Sequence, residues 1–241
     1  MSKDDPPRTR NASETKRRIL NAAEAEYAAK GFDGARLGAI ARVAGVQQAL
    51  IHHYFEDKAG LYRAVVDRAL GAMSTEGWDI LARTVSAVGK SSRGKSMKIT
   101  KEDVRPLVEA FIDLLQRFFT EHGQILAIVR HEAQDGSTLA LDVIRMRVKP
   151  VVDAVTAYLD ALKGAGELRR DVDVRQLTIN AMAMVAFPLM EQPMLGAVWP
   201  LDPNTKTFLA AAREEIVQML REQMLVRTGD RLGIEAYDGR A

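Results

Sequence analysis

The stretch Leu37-Gly38-Ala39-Ile40-Ala41-Arg42-Val43-Ala44-Gly45-Val46-Gln47-Gln48-Ala49-Leu50-Ile51-His52-His53-Tyr54 decides the reading of the chain. Two helices that cross steeply over a three-residue turn impose three demands. The first helix needs a small residue where the second packs closest, and Ala41 stands there. The turn needs a residue tolerant of positive φ, and Gly45 follows four positions later. Apolar side chains must lock the corner from both sides, as Ile40, Val46 and Ile51 do. These spacings form a helix-turn-helix signature whose second helix, about 47–54, enters a DNA major groove. An ordinary helical corner can meet the same spacings, so the neighbouring residues matter. Gln47, Gln48, His52 and His53 face outward from the second helix, and glutamine reads adenine edges. Asp57 caps the next helix and puts Lys58 in its first turn. Lysine there opposes the helix dipole, unless the ammonium and the helix end share a phosphate.

Toward the N-terminus the chain becomes basic. Residues 1–65 carry 11 Lys/Arg against 8 Asp/Glu, although the whole chain is only +2. A basic segment suits a polyanionic partner. Residues 1–10 hold Pro6 and Pro7 and read as a disordered basic arm, with Arg8 and Arg10 placed to reach DNA. Asn11 and Glu14 fit a capping box, and Gly31 stops the helix that follows. Toward the C-terminus the chain reads as helices: about 57–81, 102–119, 124–133, 137–163 with a bend at Pro150, 173–190 and 204–226. Val85–Lys101, rich in glycine, serine and base, reads as an exposed loop. No stretch alternates with period two, so the fold class is all-α, in about nine helices. The expected domains are the arm 1–10, a helix-turn-helix domain 11–56, a helical effector-binding and dimerisation domain 57–226 and a tail 227–241.

Gly31-Phe32, Ile40-Ala41, Ala44-Gly45-Val46, Ile51, Tyr54-Phe55-Glu56-Asp57-Lys58 and Leu61-Tyr62 resemble the N-terminal domain of the TetR family of bacterial transcription regulators. Gly166-Glu167-Leu168-Arg169-Arg170-Asp171-Val172-Asp173 is similar to that family's loop before its penultimate helix. The resemblance implies a homodimeric, cytoplasmic, double-stranded-DNA-binding regulator, a repressor released from a palindromic operator by a small-molecule effector. The helix-turn-helix spacing and its outward set predict base contacts from Gln47, Gln48 and His53 and phosphate contacts from Arg36, His52 and Lys58, with Tyr54 a further DNA-binding candidate. Departures accompany the resemblance: Ala35 and Arg36 stand where the family has hydroxyl residues, Gln47 where serine caps the recognition helix, and His52 where tyrosine touches phosphate.

Composition narrows the alternatives. The chain of 241 residues has no cysteine, which excludes disulfides, thiolate metal sites and cysteine nucleophiles. The longest weakly polar run, Leu177–Met190, falls short of the roughly 20 residues a membrane span requires. The four histidines include no H-E-x-x-H or E-x-x-H pairing, so no metal and no cofactor is expected. No nucleophile elbow or Walker motif suggests an enzyme. Trp78, Phe111, Phe118, Met146 and Met182 are candidates for an apolar effector pocket, with His131 and Arg145 as polar contacts. Two other classes stay open: an all-α enzyme with a cavity carboxylate or histidine, and a basic adaptor or membrane-surface module using the arm and the Lys90–Lys101 loop.

Overall fold

The computed structural model describes residues 7–91, 101–134 and 136–224. Among them are ten helices and no strand: α1 (Pro7–Gly34), α2 (Leu37–Ala44), α3 (Gln48–Phe55), α4 (Lys58–Ser91), α5 (Lys101–Gln134), α6 (Leu139–Arg147), α7 (Lys149–Gly164), α8 (Val174–Met190), α9 (Gln192–Val198) and α10 (Lys206–Met224). The C-terminal tail 227–241 and residues 92–100 of the basic loop lie outside the described residues. So does the start of the arm, whereas Pro7–Arg10 already belong to the helical backbone of α1.

Several boundaries follow from single residues. Gly31 takes φ 69° and breaks α1 where the sequence reading ended that helix. Asp173 accepts from the Gln176 amide at 3.0 Å and caps α8. Asp173→Ala is expected to cost about 1 kcal/mol, read as a fall in thermal midpoint with the unfolding cooperativity unchanged.

Other boundaries differ from expectation. α4 continues to Ser91, so the first part of the loop expected over Val85–Lys101 is helical. The two helices expected over 102–119 and 124–133 are one helix kinked at His122, where φ is −121° and ψ is 15°. The bend expected at Pro150 falls just before it, with Val148 capping α6 and α7 starting at Lys149. Proline crowds the residue ahead of it, so the break lands upstream. Pro188 lies inside α8 rather than ending it, and Pro193 opens α9, where its missing N–H is no loss.

The chain forms two compact units: Met1–Ser74 with His122–Pro150, and Thr75–Glu121 with Val151–Ala241. The first is built on Ile19, Ala23, Tyr27, Ile40, Ile51 and Tyr62, all buried. Arg147 ties α6 to α4 through a bidentate pair with Asp67 at 2.6 and 3.0 Å. In the second unit α8 packs on α10. Arg213 of α10 reaches Asp113 of α5 at 2.5 Å, which holds its guanidinium pKa above the ordinary value.

Candidate nucleic-acid interface

The corner at Gly45 is closed by two backbone bonds. Val46 N–H donates to Ala41 carbonyl oxygen at 3.0 Å and Gly45 N–H to that of Arg42 at 3.2 Å. Gly45 sits at φ 64°, ψ 41°, the left-handed region that this double closure requires. Ile40, Ala41, Ala44 and Ile51 are buried around it, so α3 is held against α2 by its apolar side alone.

The opposite side of α3 is open to solvent. Gln47, Gln48, His52 and His53 are exposed, as is Arg36 ahead of α2, while Tyr54 and Lys58 are half-buried. Neither Arg36 nor Gln47 caps its helix through its side chain, which leaves both free for an outside partner. The His52 ring nitrogen Nδ1 donates to the Glu56 carbonyl oxygen at 2.9 Å. That bond orients the imidazole at the end of α3 and keeps Nε2 available. Asp57 caps α4 by accepting from the Gly60 amide at 2.6 Å.

Lys58 differs from the outward set. Its ammonium donates to the Asp33 carbonyl oxygen at 2.9 Å and lies 4.9 Å from the Phe32 ring centroid. It therefore buttresses the corner where α1 meets α4, and a phosphate there would have to share it. Two basic residues stand beside the recognition helix that the sequence reading counted only as part of a basic cluster. Lys16 lies over the Tyr54 ring at 5.2 Å, and the Arg18 guanidinium lies beside Gly45. Their relation to α3 depends on how α1 crosses it, which no local spacing reveals.

This bundle and the chain around it match two family models. Residues 19–65 match the bacterial regulatory proteins of the tetR family, and residues 101–220 match the tetracyclin repressor-like C-terminal domain. The chain belongs to the TetR family. It is a DNA-binding transcriptional regulator with an N-terminal helix-turn-helix and a helical C-terminal region. Among TetR-family relatives, the transcriptional regulator RutR of Escherichia coli K12 is 28% identical over 217 residues, covering 89% of this chain and 92% of RutR. The transcriptional repressor SCO4008 of Streptomyces coelicolor is 24% identical over 191 residues, covering 78% and 86%. The fold is shared with a TetR-family regulator from Mesorhizobium loti, at TM-score 0.60 and 17% identity over 89% of this chain and 98% of that one. It is also shared with FadR from Bacillus subtilis, solved with stearoyl-CoA, at TM-score 0.56 and 19% identity over 86% and 98%.

The residues suggested for an effector pocket of this TetR-family chain are divided between the two compact units. His131, Arg145 and Met146 belong to the first compact unit; Trp78, Phe111, Phe118 and Met182 belong to the second. His131 and Met146 are exposed, and Arg145 is exposed and paired with Asp142 at 2.7 Å. Trp78 is also exposed, Met182 is half-buried and Phe118 is buried. A cavity of about 40 Å³ does lie in the second unit, between α5, α7, α8 and α10. Of the suggested residues Phe111 borders it, beside Leu107, Leu159, Leu177, Ala181 and Leu220. Apolar periodicity marks a stripe but does not say which turn of the stripe meets a void. No single described helix is long and apolar enough to cross a membrane. Among the described residues no group of three His, Asp or Glu is arranged to hold a metal ion.

Proposed function

We propose that the chain is a homodimeric repressor that reads a palindromic operator and leaves it when a largely apolar small molecule enters the C-terminal domain. The observation that carries this reading is α3 itself: one face locked by Ile51, the other offering the exposed side chains of Gln47, Gln48 and His53. Side-chain amides suit adenine edges, and the exposed Arg36 and His52 supply nitrogen groups suited to flanking phosphates. Two such helices related by a two-fold axis, roughly 34 Å apart, read two half-sites. The apolar cavity supports an apolar effector, and so does the stearoyl-CoA in the FadR complex. Release requires that the effector bind the DNA-incompetent arrangement more tightly than the competent one.

Selection of bound sequences from random duplex DNA tests this. A two-fold symmetric consensus is expected, and an asymmetric consensus or none would remove the operator reading. On the selected duplex, Gln48→Ala should relax the preference at one position per half-site. Arg36→Ala should weaken binding to all duplexes alike and flatten the salt dependence by about one unit of slope. Equal effects of both substitutions on all sequences would show that α3 does not read bases. Adding stearoyl-CoA to the complex then tests the ligand class.

A further inference from the structure

We infer that Glu132 and Tyr62 form a proton-carrying pin that positions the helix-turn-helix bundle for DNA, so that binding weakens when the pin loses its proton. Its DNA readout rests on the operator binding proposed above.

Glu132 stands near the end of α5 and is 9% exposed. Neither of its carboxyl oxygens has a hydrogen-bond partner of ordinary geometry, and neither does the Tyr62 hydroxyl. These two groups nonetheless face one another across the packing of α5 on α4. The other titratable groups around them offer no compensating cation from α1 or α4. Tyr27 of α1 is committed elsewhere, its hydroxyl donating to the Lys58 carbonyl oxygen at 2.9 Å. Asp33 adds a second negative charge, and the Lys58 ammonium is held by the Asp33 carbonyl. His131, the next residue on α5, is the one group whose charge favours the carboxylate.

A bare carboxylate in such a site is costly. A proton resolves the arrangement, because it removes the buried charge while an oxygen of the neutral carboxyl can still accept from the Tyr62 hydroxyl. Burial, reinforced by Asp33, holds the Glu132 pKa above the ordinary carboxylate value; the Tyr62 hydroxyl and His131 oppose it. The contribution to stability is therefore complete below the ordinary carboxylate range. It is lost as pH rises through the raised value in the fold.

The pin connects to the DNA-binding face through a short path. Tyr62 packs edge-on against Tyr27, with ring centroids 5.2 Å apart. Tyr27 holds the first residue of α4, and α4 begins three residues after α3 ends. A shift of Tyr62 therefore moves the corner that aims the recognition helix.

The test compares the full-length parent with Glu132→Gln and Tyr62→Phe between pH 5.5 and 9. Thermal unfolding is measured without DNA, and affinity for the selected duplex is measured alongside. Glu132→Gln mimics the neutral carboxyl and cannot ionise. The parent is expected to lose thermal midpoint and affinity relative to Glu132→Gln as pH rises. The affinity ratio should widen by up to about tenfold per pH unit above the raised pKa. The comparison cancels any pH effect that arises on the DNA-facing side of α3, which both proteins share. Tyr62→Phe should move the parent's transition to higher pH, since it removes a group that favours the carboxylate. That variant keeps the test decisive should Glu132→Gln fold poorly. A parent-to-variant gap that stays constant with pH, together with an unmoved transition in Tyr62→Phe, overturns the inference. A gap in midpoint without one in affinity overturns the positioning role. Duplex binding absent at every pH, with the midpoint gap intact, overturns the operator reading and leaves the proton linkage standing.

Discussion

Met219→Glu is expected to give a folded monomer whose affinity for a palindromic duplex falls by about 10²–10⁴, the usual advantage of joining two binding modules. The structure separates two neighbours that a helical stripe treats alike. Leu220 is 3% exposed and borders the inner cavity, whereas Met219 is 43% exposed and points out of α10. A charge at Leu220 would unfold the second unit and reveal nothing about assembly. A charge at Met219 meets solvent in a monomer and an apolar surface in a dimer. α8, which packs on α10, leaves Ile179 and Phe187 similarly outside, and Met194 and Trp199 follow at α9. Large apolar side chains gathered on two packed helices mark a surface that another surface covers. Sedimentation of the parent and of Met219→Glu, with thermal unfolding of each, checks this. A variant that stays dimeric and binds the palindrome as the parent does would place the two-fold axis elsewhere.

The parts of this fold that were legible in the sequence are those encoded by residues close together in the chain. Gly45 behind Ala41, Gly31 after its helix, Asp57 before α4 and Asp173 before α8 each act within one turn, so spacing alone reveals them. His122 falls in the gap expected between 119 and 124, but as a kink, because a long helix can absorb a weak turn, while the break expected at Pro150 lies upstream because proline restricts the residue before it. α9 was not legible because a proline between two apolar stretches can equally start or stop a helix, and Pro193 starts one.

The candidate site divides along the same line. The outward set of α3 was legible because Ile51 and the turn fix which face is buried. The inward commitment of Lys58 to Asp33 was not, since those residues stand 25 apart in sequence. The same holds for Glu132, which nothing in its surroundings distinguishes from a solvated glutamate until α4 and α1 are packed over it. Arg145 and Met146 follow each other on α6 and both emerge into solvent, which residue type alone does not reveal.

Ala181→Val is expected to raise the thermal midpoint by a few degrees and to abolish release from the operator by apolar ligands. The cavity of about 40 Å³ has room for the added methyl groups but not for a ligand in its present shape. Ligand pockets run to roughly 300–1,000 Å³, so an effector must find a rarer, opened arrangement of α5, α7, α8 and α10. Filling the void stabilises the closed arrangement and penalises the open one. The lining explains why the ligand would be apolar: Thr178 is its single hydroxyl, and that hydroxyl donates to the Val174 carbonyl oxygen at 2.9 Å. No polar group of the wall is left to reward a polar ligand, so affinity must come from apolar area, at about 25 cal/mol per Å². Phe111→Ala widens the same wall and is expected to lower the midpoint while easing ligand entry. Release of the selected duplex is titrated with stearoyl-CoA and palmitate for the parent and both variants. Equal release from the parent and Ala181→Val would show that the ligand enters elsewhere. A destabilised Ala181→Val would mean that the wall is already packed, because an added methyl raises stability only where space is waiting for it.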